Sequence, residues 1–451
     1  MKQKSTTKKL PIQLSEHFTL NKLISFTLPS IIMMIFTSIY GVVDGIFVSN
    51  FVGKTPFAAI NLIMPICMLL GSLGFMIGTG GSALVSMTLG QGNKKRANEI
   101  FSMLIYVSVI AGISLSVIGV IFLRPIAEAL GASGDMLNDC VTYGRILIPF
   151  STAFILQNEF QSFLVAAEKP QFGLFITVAA GVTNIILDAL FIAVFSFGLM
   201  GAAVATAISQ LVGCLIPLFY FATSKNGVLK LGKMKFSPSA LFKTCANGSS
   251  EMMTNLSLSI VNILYNFQLM KISGENGVAA YGVIMYVNFI FISVFIGFSI
   301  GSAPIISYHY GAQNHDELKS LSKKSILIVA FFAICMTALG LLLARPLSSV
   351  FVGYDKELFE MTVRGFMLYS VSFLLIGFNI FGSSFFTALN NGIVSAILSF
   401  ARTLLFQIIA IMILPLIFEI DGVWLSITFA ELLALVLTAL FFIKLKTRYN
   451  Y

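Results

Sequence analysis

Six ionisable side chains lie inside long apolar stretches: Asp44, Glu159 and Asp188 in the first half, and Glu251, Arg402 and Glu431 in the second. Burying such a group in hydrocarbon costs about 2.5–3.5 kcal/mol on insertion scales, so each is a candidate for function. Asp188 and Thr206 flank a turn centred near Phe197, nine residues to either side. On helices, a rise of about 1.5 Å per residue places both roughly 13 Å below one surface, side by side. Asp44 lies a similar distance before a second turn near Gly53, and Asn184, four residues before Asp188, shares its helical face. Asp44, Asn184, Asp188 and Thr206 are therefore expected to meet in one pocket. Paired carboxylates with amide and hydroxyl neighbours suit a proton relay, because desolvation and mutual repulsion favour a shared proton. The same oxygens suit a small cation. The alternative is structural, with Asp188 only hydrogen-bonded to Asn184 and Thr206.

These side chains need apolar elements to carry them. The 451 residues are 57% hydrophobic and 10% charged, with a mean hydropathy of +0.93, against about 25% charged in a soluble domain. The chain reads as an all-α integral membrane protein. Apolar runs broken by Gly, Pro and charge predict twelve transmembrane helices, near 20–48, 56–86, 100–123, 137–165, 171–195 and 199–223, then 240–270, 277–308, 322–344, 358–388, 392–417 and 422–443. An even number puts both termini on one side. That side collects twenty basic residues: Lys2, Lys4, Lys8, Lys9, Lys22, Lys94, Lys95, Arg96, Lys169, Lys225, Lys230, Lys233, Lys235, Lys243, Lys319, Lys323, Lys324, Lys444, Lys446 and Arg448. The other side holds five, Lys54, Arg124, Lys271, Arg345 and Lys356. The asymmetry predicts cytoplasmic termini in a multi-pass protein of the cell membrane.

The formal charge of +9 is thus a topology signal. It argues for no nucleic-acid partner, with contact to anionic membrane lipids a minor addition. About 20 mostly polar positions precede the first apolar span and no small-residue cleavage site follows it, so no removable signal peptide is expected. The cysteines (Cys67, Cys140, Cys214, Cys245, Cys335) form no CxxC pair, and His17, His309 and His315 resemble no zinc set. No disulfide framework, metal site or cofactor is expected.

The second half repeats the first. Arg124-Pro125 recurs as Arg345-Pro346, Gly144 as Gly365, Asn158 as Asn379 and Gly201 as Gly422, each after 221 residues. The offset slips slightly where Met33-Met34 answers Met252-Met253 and Gly81-Ser82-Ala83 answers Gly301-Ser302-Ala303. Six spans per half make the repeats parallel, a plan that lets two lobes hinge about a central cavity and expose it to either side in turn. The lobes are expected at 1–223 and 243–451, joined by a basic linker at 224–242, in a chain that works as a monomer. Glycines at 71, 74, 78, 80 and 81, and at 297 and 301, read as close helix packing.

In the second lobe Glu251 and Arg402 lie about ten residues in from the terminal side, roughly 15 Å deep, with Glu431 equally deep from the other. An ion pair of Arg402 with either acid and a direct part in transport both fit that placement. Tyr40, Tyr143, Asn158 and Gln161, with the many Phe and Met residues, suit a cavity for flat, apolar, cationic molecules, since aromatic faces attract cations and Met adapts its shape.

Four segments in order, Pro29 through Gly53 (PSIIMMIFTSIYGVVDGIFVSNFVG), Gly80 through Ala97 (GGSALVSMTLGQGNKKRA), Asn184 through Asp188 (NIILD) and Gly201 through Gln210 (GAAVATAISQ), resemble the multidrug and toxic compound extrusion (MATE) family across essentially the whole chain. The resemblance implies a twelve-helix exporter that expels organic cations and drugs in exchange for H⁺ or Na⁺. It implies first-lobe cation sites at Asp44 and Asp188 with Asn184 and Thr206 as neighbours, and cavity or network roles for Tyr40, Tyr143 and Asn158. Glu251 matches a seventh-helix acid used in another branch, whose tenth-helix carboxylate is replaced here by Asn379. The family pattern Arg-Ala-x-Gly-x-Pro is altered to Val165-Ala166-Ala167-Glu168-Lys169-Pro170.

Two other readings compete. A lipid-linked saccharide flippase of the same superfamily shares the repeat, but a pyrophosphate cargo favours a cavity rich in Arg and Lys, and here only Arg402 lies deep. An intramembrane enzyme needs a nucleophile–base or metal constellation, which the histidines and cysteines do not supply.

Overall fold

A backbone within a bilayer must satisfy its own polar groups, so apolar runs of this length fold as helices. The computed structural model describes residues 12–52, 54–224 and 227–451, without the side chains of Ile46, Ser49, Asn50, Lys54, Thr55, Phe57, Ala58 and Asn61. Gly53, expected at the first turn, and the basic residues Lys2, Lys4, Lys8, Lys9 and Lys225 lie outside the described residues, as does the side chain of Lys54.

Among the described residues, nine helical stretches are long and apolar enough to cross a membrane. Two of them are double. Gly274 (φ 61°, ψ −147°) breaks Pro238–Gly311, and Glu419 (φ 51°, ψ −127°) breaks Gly392–Tyr449. A further pair, Lys356–Ser370 and Phe373–Ala388, is one span bent by 47°. The twelve helices are α1 (Leu20–Phe51), α2 (Lys54–Gly90), α3 (Lys94–Ala129), α4 (Gly134–Ala166), α5 (Pro170–Val194) and α6 (Gly198–Thr223) in the first half. The second half adds α7 (238–273), α8 (275–311), α9 (His315–Val352), α10 (356–388), α11 (392–418) and α12 (420–449). The chain is an all-α, multi-pass membrane protein. Arg124-Pro125 and Arg345-Pro346, expected between spans, lie inside α3 and α9. These helices outrun their apolar core, and Arg124 pairs there with Glu128 one turn on, at 3.2 Å.

Residues 227–237 run along α3, where Asn98 Oδ1 accepts from Lys230 N (2.6 Å) and Ser102 Oγ from Gly232 N (3.0 Å). The seventh span then starts at Pro238, whose missing N–H suits a first helical turn.

The halves meet on the face that carries Leu14 and Tyr451, here termed the terminal face. Helix α2 packs on α7 and α8, and α1 on α8, with backbones so close that side chains are excluded. A side chain at Gly311 would strike the Met87 carbonyl, and one at Gly90 the Tyr308 carbonyl. Met87 and Tyr308 are 221 residues apart, as are Gly90 and Gly311, so the seam has twofold pseudosymmetry. The same register relates Gly80, which faces Gly248, to Gly301, which faces Thr27. Gly80, not Gly81, is therefore the counterpart of Gly301. Small residues permit this approach, and contact between backbones supplies the dispersion that replaces a hydrophobic drive in lipid. Ser307 Oγ adds a bond across the seam to Ala83 O at 2.5 Å. Towards the opposite face the seam ends: Gly41, Gly45 and Gly282 have open space where a side chain would stand. The halves are thus joined at the terminal face and part beyond it.

Candidate functional site

In the first half, α1, α4, α5 and α6 bring polar groups to one buried place. Asp188 is fully buried and Asp44 half-buried. Their carboxyl groups lie within hydrogen-bonding reach of each other, although 144 residues separate them in sequence. Among the described residues, neither Asp188 oxygen nor Asp44 Oδ1 has a donor partner. Ionised carboxylates only accept, so this contact becomes a bond when a proton or a cation stands between them. Among the described residues, buried Asn184, one turn before Asp188, has no partner for Nδ2, and Thr206 Oγ1 likewise shows none. Among the described residues, Asp188 makes no hydrogen bond to Asn184 or Thr206. Tyr143 is buried beside Thr206 and near both aspartates. Just past Asp188, α5 widens into a π-helical stretch, Ala189–Val194, a local irregularity frequent at functional positions.

The other first-half candidates are placed elsewhere. Tyr40 is half-buried, its ring 6.0 Å from that of Phe36 and tilted by 48° to it, and packs against Gly181. Asn158 is buried with Nδ2 unpartnered. Gln161 faces a cleft of about 10 Å³ beside Gln157 and Gly213, room for a water at most. Glu159 is fully buried and neither oxygen has a partner among the described residues.

The larger cavity, about 240 Å³, lies on the second-half side of the interface between the halves. Of the sequence candidates it is lined by Glu251, Arg402 and Glu431, and not by Tyr40, Tyr143, Asn158 or Gln161. The first half closes it with Met34, Phe75, Thr79, Ser82 and Ser162. Helix α7 presents Glu251, Asn255, Leu258, Asn262 and Tyr265 to it, a stripe at three- and four-residue spacing. Tyr281, Asn288, Tyr369 and Gln407 complete a wall of aromatic faces and amides. Tyr265 and Tyr281 stack with centroids 5.2 Å apart, and their hydroxyls donate to Gln407 Oε1 (3.0 Å) and Asn262 Oδ1 (2.8 Å). The alternating spacing along α7 was visible in the sequence, but beyond Glu251 its members are neutral, and a search for charge passes over them.

Of the two pairings open to Arg402, the one with Glu431 forms, Nη1 to Oε1 at 3.3 Å, with both side chains largely buried. Glu431 is further held by Asn379, whose Nδ2 donates to Oε2 (2.7 Å) and to the Glu431 carbonyl (2.9 Å). Thr438 Oγ1 in turn donates to Asn379 Oδ1 at 3.1 Å. Asn379, standing where another branch has an acid, therefore acts as a donor to the acid on α12.

The same family model, MatE, matches twice, at residues 29–190 and 252–413, one match in each half. The multidrug export protein MepA of Staphylococcus haemolyticus (strain JCSC1435) is 26% identical over 430 residues, 94% of this chain and 93% of its own length. MepA of Staphylococcus saprophyticus subsp. saprophyticus is 25% identical over 362 residues, 78% and 79% respectively. A solved outward-facing conformation of a multidrug resistance MATE family transporter of the MOP superfamily has a TM-score of 0.91 at 22% identity, over 96% of this chain and 97% of that one, a likeness of fold. The internal repeat and its family matches coincide, and the chain belongs to the MatE family.

Proposed function

We propose that the protein exports organic cations and drugs by antiport with H⁺ or Na⁺, its two lobes rocking between outward- and inward-facing states. The observation that carries the reading is the separation of two sites. The Asp44–Asp188 pair lies within the first half, while the 240 Å³ cavity lies against the second. A cation entering the first site then acts on cargo in the second by changing the balance between states, which requires each to differ in affinity between them. The relatives named as multidrug export proteins support the cargo class.

The twenty-to-five distribution of Lys and Arg makes the terminal face cytoplasmic. The seam closed on that face then corresponds to an outward-facing state. Residues 1–223 and 243–451 are the rocking lobes, with 224–242 the connection, and one chain suffices for transport.

The test is gradient-driven transport of ethidium, read as uptake into everted vesicles or in proteoliposomes, with a pH or a Na⁺ gradient alone. Asp44→Asn and Asp188→Asn are expected to abolish gradient-driven efflux while leaving cargo binding. Full transport in both variants overturns the coupling site, and dependence on one gradient identifies the ion. A single guanidinium at the cavity, already paired, gives no support to a pyrophosphate-carrying cargo.

A further inference from the structure

Among the described residues that line the large cavity, three carry formal charge: Glu251, Arg402 and Glu431. Arg402 is tied to Glu431, and Asn379 holds the remaining Glu431 oxygen. Glu251 enters no ion pair among the described residues, and its side chain is half-buried against the cavity. With both acids ionised the lining sums to one negative charge, and that charge is on Glu251. We propose that the cavity selects for cargo with a single positive charge: Glu251 is its counter-charge, and the Arg402–Glu431 pair keeps the second acid out of reach of a second cationic centre.

The proposal rests on the export reading above and specifies its cargo. A monocation leaves the filled cavity neutral. A dication of the same shape leaves one charge uncompensated in a low-dielectric site, the costly arrangement for buried ions. Tyr265 and Tyr281 offer the aromatic faces that a planar cation prefers. Arg402 is thus a specificity-determining residue that acts by occupying Glu431.

The test compares a mono-N-methylated bipyridinium with its di-N-methylated counterpart, nearly equal in size, for binding to the full chain in lipid nanodiscs. The wild type is expected to bind the monocation roughly ten-fold or more tighter. Arg402→Gln releases Glu431, so the preference should collapse or invert. Glu431→Gln leaves Arg402 free to neutralise Glu251, and monocation affinity should fall by about ten-fold or more. The double variant, Arg402→Gln with Glu431→Gln, returns the lining to one negative charge and should restore the preference. Glu251→Gln leaves the buried pair intact, so it guards against misfolding, and it should lose the monocation with that pair still in place. Equal binding of the two cations by the wild type, or an unchanged ratio in Arg402→Gln, overturns the charge selection while export of cations stands. Binding of neither cation by a folded wild type overturns both.

Discussion

Phe18 donates its backbone N–H to Glu317 Oε1 at 2.8 Å, across 299 residues of sequence. The other Glu317 oxygen meets His17 Nδ1 at 2.6 Å, and Lys324 Nζ donates to the Phe18 carbonyl. Four residues earlier, Leu14 N donates to Glu168 Oε1 at 2.8 Å, and both Leu14 and Phe18 are buried. A short segment ahead of α1 is thereby anchored to the first half at Glu168 and to the second at Glu317. It straps the seam on the face where the halves already touch. The family's altered loop, with Glu168 at φ 62°, supplies one of the two anchors.

Removing the second anchor separates its two contributions. Glu317→Ala leaves the buried Phe18 N–H without an acceptor, a loss of about 1–3 kcal/mol. Glu317→Gln retains a carbonyl oxygen for Phe18 and gives up only the charge. Thermal unfolding in detergent should show a clearly larger drop for the alanine variant. Equal drops would mean that charge, and not the backbone bond, holds the strap.

Acid should loosen the same segment through Glu16, which lies outside the spans. A hydrogen bond from Lys22, then one from the Gln13 N–H, holds the Glu16 carboxyl below its ordinary value. A depressed carboxyl contributes stability above its ordinary range and loses it as pH falls through the folded value. Hydrogen exchange at residues 13–18 should therefore speed up on acidification beyond the intrinsic change. Glu16→Gln should remove that component, and persistence in the variant would assign it to another group.

The symmetry of the seam makes a paired prediction. A bulky residue at Gly311 meets the Met87 carbonyl and one at Gly90 meets the Tyr308 carbonyl, so either leucine substitution must push the halves apart. Ser307 is buried at the seam, and a Ser307→Cys probe should label slowly in the parent. Gly90→Leu and Gly311→Leu should each raise the labelling rate by a similar factor. A rise in one alone would show that the two contacts are not equivalent.

The twelve helices and the approach of Asp44 to Asp188 were legible in the sequence because both follow from local quantities, apolar run length and residue counts from turns. The sequence placed the cavity poorly. Tyr143 and Asn158 are polar and mid-span like the residues that line it, but helix rotation about its axis is set by packing, and packing turned them inward within the first half. Register was a second obstacle. With a slipped offset Asp44 lines up with Ile263, whereas the strict 221 of the packed glycines brings it opposite Tyr265, whose hydroxyl bonds Gln407. A carboxyl contact between α1 and α5 thus has a neutral counterpart between α7 and α11, invisible until the helices are packed.

Asn379 tests how the second half manages without an acid deep in α10. Its amide is a donor to one Glu431 oxygen, so Asn379→Ala strips that oxygen of its partner and should cost about 1–3 kcal/mol. Asn379→Asp is nearly isosteric but replaces the donor by an acceptor that repels Glu431 when both are ionised. Its unfolding temperature should lie below that of the parent at neutral pH and recover towards it on acidification, as a shared proton rebuilds the bond. The alanine variant has no such proton to gain, so its deficit should stay nearly constant over the same range. A parallel pH response in the two variants would remove Asn379 from the role of donor to Glu431.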